Sequence, residues 1–263
     1  MRMKRRQLFE FQDLPWFPDL LREAQMEILS RADRTSGFAR AIAPALGRAL
    51  DLVAADEILD LCSGGGGPIL PILAEFAALG RTPPRVSLSD LYPRVAMWSR
   101  LKERAGGRLD FVAESVDATR LPPDPAGGVT TIINALHHFP PERVRAIIAA
   151  VARRGSTLFV AEAFGRSLRR ASVYWPSLTL AAIVNPFVCK RRGWLKAALT
   201  WLMPVVTLSG VWDWFASAMR EFEPAELAAF AQEAAPQYRW EFGHVNYGWW
   251  GRAGYLIGAP PGR

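Results

Sequence analysis

The sequence predicts an α/β protein built on a doubly wound, mostly parallel sheet. Three observations carry that expectation. The stretch Ile58-Leu59-Asp60-Leu61-Cys62-Ser63-Gly64-Gly65-Gly66-Gly67-Pro68 is an apolar run that ends in a carboxylate, turns through four glycines and enters the apolar Ile69-Leu70. That pattern is a buried strand, a tight turn and a helix start. From Glu57 to Glu162 short strand-like runs alternate with helical periods, as βαβ units require. Carboxylates and an amide close these runs at Asp60, Asp90, Asn134 and Glu162, the edge at which such sheets bind ligands.

The elements follow in order. Leu20, Leu21, Ala24, Ile28 and Leu29 give a helical period over 19–31, and Phe38, Ile42, Leu46 and Leu50 give another over 35–52. Pro44 is placed to kink or divide the second. Strands are expected at 57–61, 85–89, 109–114, 129–134 and 157–161, with helices at 68–79, 94–103 and 141–153. Pro68, Pro71 and Pro141 fall in first turns, where a missing N–H costs nothing. Two further strands, at 238–245 and 253–258, read as an antiparallel pair. The stretch 165–222 departs from this rhythm. Residues 173–189 are uncharged and 194–212 carry only Lys196, while Pro176, Asn185, Pro186 and Pro204 interrupt both. Neither is a clean span of about twenty apolar residues, so a helical cap is expected, with a cap that also touches a membrane surface weakly as the second reading. The organisation expected is an N-terminal helical lid (1–56), a ligand-binding core (57–164), an apolar helical cap (165–222) and a C-terminal helix and strand pair completing the core (223–263).

With 263 residues, half of them hydrophobic, the chain has enough apolar surface for a core without metals or disulfides. Its two cysteines, Cys62 and Cys189, have no metal-like spacing and fit a reduced, cytoplasmic setting. The basic start leads into Phe9-Glu10-Phe11-Gln12-Asp13, so no secretion signal is expected. The net charge of +7 gathers partly at Arg2, Lys4, Arg5 and Arg6 and at Lys190, Arg191 and Arg192. A solvated face is the plain reading of such runs.

The ligand of the glycine turn can be argued from charge. A dinucleotide site wants G-x-G-x-x-G. Here the glycines run consecutively, and Asp60 at the strand end repels a pyrophosphate but suits an ammonium or sulfonium. Asp90, ending the next strand, can accept hydrogen bonds from both hydroxyls of a ribose. Asp117, beside Ala118 after the third strand, can accept from an adenine amine. Three carboxylates in this order fit S-adenosyl-L-methionine.

Residues 57–162 resemble the core of class I S-adenosylmethionine-dependent methyltransferases. Asp60-Leu61-Cys62-Ser63-Gly64-Gly65-Gly66 is similar to the family's first motif, an acidic residue followed by G-x-G-x-G, with Cys62 in place of the first glycine. The resemblance implies a Rossmann-like seven-stranded sheet whose last strand is antiparallel, and S-adenosyl-L-methionine as cofactor. It implies a cofactor site of Asp60, Cys62, Gly64 and Gly66 toward the methionine moiety, Asp90 and Leu91 at the ribose, and Asp117 and Ala118 at the adenine. Asn134 and Ala135 would close the pocket near the reactive methyl; no metal is implied. The cap resembles that of a group of bacterial methyltransferase-like proteins through Thr200-Trp201-Leu202-Met203-Pro204, Trp212-Asp213, Ser217 and Arg220.

Methyl transfer from a sulfonium depends chiefly on alignment and exclusion of water. A base is needed only when the nucleophile must lose a proton. The candidates are His138, then His137, after the fourth strand, Glu162 at the end of the fifth and Asp213 in the cap, with His244 and Tyr247 behind them. The plainer alternatives are a helix-capping histidine, a Glu162–Arg220 pair, and structural ion pairs for Asp213 and Arg220, which share a helical face seven residues apart. Cys62 reads as a packing residue. Trp175, Trp201, Trp212 and Trp214 are candidates to line a cavity, and Trp16 and Phe17 to cover the cofactor. The expected function is methylation of a small, largely apolar metabolite at oxygen or nitrogen. Its rivals are a lyase or cyclase that releases methylthioadenosine from the same cofactor, and a methyltransferase-like binding or membrane-associated module. No nucleic-acid partner is expected, because the chain lacks an Asn/Asp-Pro-Pro-Tyr-type motif and the cap is too apolar for a phosphate groove.

Overall fold

The computed structural model describes residues 4–124, 127–163, 166, 176, 179–187, 193–248 and 251–262. At its centre are β1 (Glu57–Asp60), β2 (Arg85–Leu88), β3 (Leu109–Phe111), β4 (Val129–Ile133), β5 (Thr157–Glu162), β6 (Arg239–Tyr247) and β7 (Gly251–Ala259). They form one sheet in the order β3-β2-β1-β4-β5-β7-β6. The first five strands pair in parallel, and β7 runs antiparallel to both β5 and β6. The terminal pair is therefore antiparallel as expected, but its second strand inserts between the first and β5. Central β4 and β5 are buried at every residue, as strands covered on both faces must be.

One face is covered by α2 (Phe38–Leu52), α3 (Ile69–Ala78) and α4 (Val95–Lys102), which pack Phe38, Leu46, Phe76 and Trp98 against Val86, Phe159 and Ile257. The other is covered by α5 (Pro141–Arg154) and α8 (Pro224–Ala234), with Ile147, Val151 and Ala231 against Ile132, Val160 and Leu256. Local chemistry sets these ends. Helix α5 stops at Gly155, whose φ of 84° closes the last turn, and α8 opens with a Glu223–Glu226 capping box. Helix α2 runs unbroken through Pro44. The buried stripe from Phe38 to Leu50 offsets the one hydrogen bond that proline removes. Because α2 lies on the sheet, the segment 1–56 divides between a sheet-covering helix and the elements before it.

Those elements sit over the carboxyl edge of the strands. Helix α1 (Asp19–Thr35) packs with residues 179–187, α6 (Gly193–Ala197), its π-helical continuation (Ala198–Leu202) and α7 (Val205–Arg220) around Phe17, Leu21, Ile28, Val206 and Trp214. Among the described residues no single helix is long and apolar enough to cross a membrane. Gly193–Leu202 and Val205–Arg220 pass only as a pair, bent by 74°.

Candidate functional site

The glycine turn leaves β1 with its backbone already tied. Asp60 is buried; its Oδ1 accepts from Thr131 Oγ1 at 2.5 Å and its Oδ2 from Ser63 Oγ at 2.6 Å. Burial pushes its carboxyl up to about 6. Asp60 thus braces the turn against β4, with both oxygens engaged by hydroxyls. Asp90 accepts from the Gly64 N–H at 2.8 Å and the Tyr92 N–H at 2.9 Å, and Trp98 Nε1 donates to the Gly64 carbonyl at 3.0 Å. Gly64 has φ 50°, and a Cβ added there would meet nothing within 4 Å, so the turn opens onto space at this residue. Gly66 differs. Its Cβ would lie 2.5 Å from Leu101 Cδ1, so this glycine is required by packing on α4 and faces the core rather than the cleft.

Farther along the edge, Asp117 accepts from the Thr119 N–H and hydroxyl at 2.9 and 2.7 Å, bonds that hold its carboxyl below the usual range. Ala118 is buried behind it, and Leu91 is exposed at the rim. Burial pushes the Cys62 thiol up, and Asp90, Asp60, Asp117 and Glu162 push it further. The thiol therefore stays protonated, and four carboxylates converge on the strand ends.

Helix α1 crosses this turn. Met26 Cε and Met97 Sδ lie 2.7 and 3.2 Å from where a Gly65 Cβ would be, and Asp33 Oδ2 lies 3.1 Å from that of Gly67. Met26 and Asp33 are two helical turns apart, hence on one face. Asp33 is half-buried and has no hydrogen-bond or ion-pair partner among the described residues. Burial pushes its carboxyl up to about 7, opposed by the charge of Arg34. Sequence reasoning missed it. The available signal was a carboxylate at 33 continuing the face of Met26 and Leu29.

Beside the turn lies a cavity of about 770 Å³, lined by Leu29, Asp33, Asn134, His137, His138 and Trp214 among others. Asn134, at the end of β4, has φ 53° and accepts from the Ala163 N–H at 2.8 Å through Oδ1. Such strain for a residue other than glycine needs surrounding support, here the β5 tip; Ala135 is buried next to it. Glu162 accepts from the Leu136 N–H at 2.7 Å, and its Oε2 lies 2.6 Å from His137 Nδ1; both side chains are buried. Glu162 therefore pairs with His137 and not with Arg220.

Arg220 and Asp213 share a face of α7, as their spacing predicts, yet clasp the N-terminal strap instead of each other. Arg220 lies 3.1 Å from Glu10 and 2.7 Å from Asp13, and its Nε donates to the Leu8 carbonyl. Asp213 accepts from the N–H groups of Phe11 at 2.6 Å and Gln12 at 3.2 Å. Burial raises its carboxyl to about 6 against the pull of those bonds. His138 Nδ1 lies 3.3 Å from Asp13 and 3.6 Å from Glu10. Burial would lower its pKa, but the bond to Asp13 and the charges of Glu10 and Asp13 raise it overall. Glu10, His137 and His138 bring ligand-type atoms within 4.8 Å of one another. The Arg220 guanidinium, 3.1 Å from Glu10 and 3.3 Å from His138 Nδ1, already supplies the positive charge there.

No family model matches the chain, and no curated protein matches it. Solved structures do. LaPhzM covers 94% of this chain and 60% of its own at 17% identity and a TM-score of 0.53. PigF with SAH covers 91% and 66% at 15% identity and a TM-score of 0.51. The chain has the class I S-adenosylmethionine-dependent methyltransferase fold. Magnesium protoporphyrin IX methyltransferase (ChlM) from Synechocystis PCC 6803 with bound SAH follows at a TM-score of 0.48, 13% identity and coverage of 86% and 85%. At these identities the likeness is one of fold.

Within the methyltransferase fold, the carboxyl edge brings together Asp60, Cys62, Gly64, Asp90 and Asp117 on one side of β4 and Asn134, His137 and Glu162 at and beyond it. Other candidates fall elsewhere. Of the four tryptophans, Trp214 lines the cavity; Trp212 Nε1 donates to the Phe9 carbonyl, Trp201 Nε1 to the Ile183 carbonyl, and Trp175 lies outside the described residues, as does Cys189. Trp16 is exposed and Phe17 packs in the cap core, so neither lines the cavity. His244 is exposed on β6, whereas Tyr247 lines the cavity, its hydroxyl donating to the Ala163 carbonyl at 2.6 Å. The strap residues Glu10 and Asp13 were not foreseen as partners of α7.

Proposed function

We propose that the chain is an S-adenosyl-L-methionine-dependent methyltransferase that modifies a small, largely apolar molecule at oxygen or nitrogen. The observation that carries this reading is the cavity beside the glycine turn, which has Asn134 and the buried His137–Glu162 pair on or behind its wall. The residues at the turn fit the cofactor. The space over Gly64 is open, since a Cβ there would meet nothing within 4 Å. Asp90, aimed by two backbone N–H groups, keeps lone pairs for a ribose diol, and Asp117, held by Thr119, is the acceptor assigned to the adenine amine. Since Asp60 is buried beneath the turn as well as held by two hydroxyls, the carboxylate available to the ammonium of the methionine end is the half-buried Asp33. When bound, the cofactor supplies a methyl group on a sulfonium. Everything else is supplied by the chain.

Glu162 accepts the Nδ1–H of His137, which puts the accepting lone pair on Nε2. A hydroxyl or ammonium of the acceptor gives its proton to Nε2, and the Glu162 carboxylate stabilises the imidazolium that forms. His138 serves the strap instead: its Nδ1 is engaged by Asp13 at 3.3 Å and by Arg220 at 3.3 Å.

Incubation with S-adenosylmethionine and a panel of apolar phenols and amines tests the reading. Acceptor-dependent S-adenosylhomocysteine is the expected product, and methylthioadenosine formed without an acceptor would replace it with the lyase reading. Glu162→Gln should slow transfer about 100-fold while leaving S-adenosylhomocysteine affinity unchanged.

A further inference from the structure

The cap is built inside out. Residues 179–187 are helical, and Leu180, Ile183, Val184 and Phe187, at the spacing of one helical face, are all exposed. The opposite side buries Ala182 and Asn185. In α6 the order is again reversed: Trp194 is 79% exposed, whereas Lys196 is 1% exposed and pairs with Glu27 at 2.8 Å. The stripe continues through Leu202, 83% exposed, to Met203 and Leu208. The two helices make one surface, because the Phe187 and Trp201 rings meet at 4.8 Å, tilted by 44°, and Trp201 Nε1 donates to the Ile183 carbonyl at 3.0 Å. More than half of the exposed large apolar side chains among the described residues lie between 180 and 208. Contiguous apolar surface of this kind marks an interaction site.

Charge selects the occupant. In the sequence Lys190-Arg191-Arg192 immediately precedes Gly193 and Trp194. Exposed tryptophan and aliphatic side chains beside a basic cluster are the chemistry of an anionic bilayer surface, with the rings at headgroup level and the cations against phosphate. The 74° break between Gly193–Leu202 and Val205–Arg220 allows lying on the surface and opposes crossing it. We propose that the apolar face formed by residues 180–187 and 194–208 docks the chain on the surface of an anionic lipid bilayer, the charge of the sequence-adjacent Lys190, Arg191 and Arg192 adding attraction to phosphate. Ala181 and Trp214, on the same cap, line the cavity, so a docked chain would hold its cavity close to lipid-dissolved molecules. The docking itself does not rest on the methyl-transfer reading.

Co-sedimentation with vesicles tests it. The full chain should pellet with vesicles of phosphatidylcholine and phosphatidylglycerol, and less with phosphatidylcholine alone or in high salt. Trp194→Glu with Leu202→Glu should lower the partition at least about tenfold. Lys190→Gln, Arg191→Gln and Arg192→Gln together should lower it about 100-fold at low salt. A wild-type chain that stays in the supernatant, or a double variant that pellets like wild type, overturns the proposal. So does a wild-type dimer that the double variant dissociates, because the face would then cover a second copy. Should the double variant fail to fold, quenching of wild-type tryptophan fluorescence by brominated lipid decides. Quenching that falls in Trp194→Phe supports docking, and unquenched fluorescence overturns it.

Discussion

Asp33→Asn keeps the side chain's size and removes its charge, and its effect separates binding from folding. Asp33 has no hydrogen-bond or ion-pair partner among the described residues, so the substitution breaks no bond recorded for the fold. Its carboxyl is raised to about 7 by burial, which means the folded state holds the proton more tightly than the unfolded chain does. The charge therefore costs stability above the unfolded value near 3.8, and Asp33→Asn should melt higher than wild type at pH 8. Binding should move the other way. A hydrogen bond to a charged group contributes about 1.5–3 kcal/mol, so S-adenosylhomocysteine should bind about 10- to 150-fold more weakly. Methylthioadenosine, which has no amino-acid end, should bind the variant and wild type alike. Between pH 8 and pH 6 the ionised fraction of a group near 7 falls about tenfold. Wild-type affinity for S-adenosylhomocysteine should fall about as much, and that of the variant should stay level. Isothermal calorimetry reads all of this. Equal affinity for S-adenosylhomocysteine in variant and wild type refutes the assignment, and so does an equal loss for both ligands.

Three further outcomes follow from the same geometry. Arg220→Met removes the nearer of the two cationic neighbours of buried Glu10 and leaves His138 at 3.6 Å, so the loss should approach the about 3–5 kcal/mol typical of a broken buried pair; denaturant unfolding and proteolysis of the strap should both register it. The strap should also respond to pH from two sides. Asp13, lowered to about 2 although burial opposes this, lends stability above its unfolded value near 3.8 that is lost as pH falls toward 2. His138, with a raised pKa despite burial, lends stability below its unfolded value near 6.5 that is lost as pH rises through its folded value. Hydrogen exchange at residues 7–13 should therefore be slowest between the two limits, and exchange that is level with pH would contradict this. Gly64→Val fills the space above the turn and strains a φ of 50°. It should fold, at a cost of about 1–3 kcal/mol, and fail to bind S-adenosylhomocysteine by calorimetry.

The sheet was legible because its information is local. The strand ends at Asp60, Asp90, Asn134 and Glu162 are marked by apolar runs meeting a polar residue, and the glycine turn is contiguous in sequence. The insertion of β7 beside β5 was not legible, since pairing partners such as Val160 and Leu256 are chosen by tertiary packing and not by any local pattern. The site divides in the same way. The turn residues could be read from charge and spacing, whereas Glu10 and Asp13 meet Arg220 across more than 200 residues. Gly64 and Gly66 look alike in sequence, and only the position of Leu101 tells which faces the cleft. The partners of the two histidines were hidden for a comparable reason. Nothing local says that His137 meets Glu162 while His138 meets Asp13.

The most direct test is the structure of the chain with S-adenosylhomocysteine. The account predicts the adenosyl group over Gly64, with the ribose hydroxyls on the Asp90 carboxylate and the α-ammonium on Asp33. Density for the ligand elsewhere, or a chain that takes up none at saturating concentration, would contradict it.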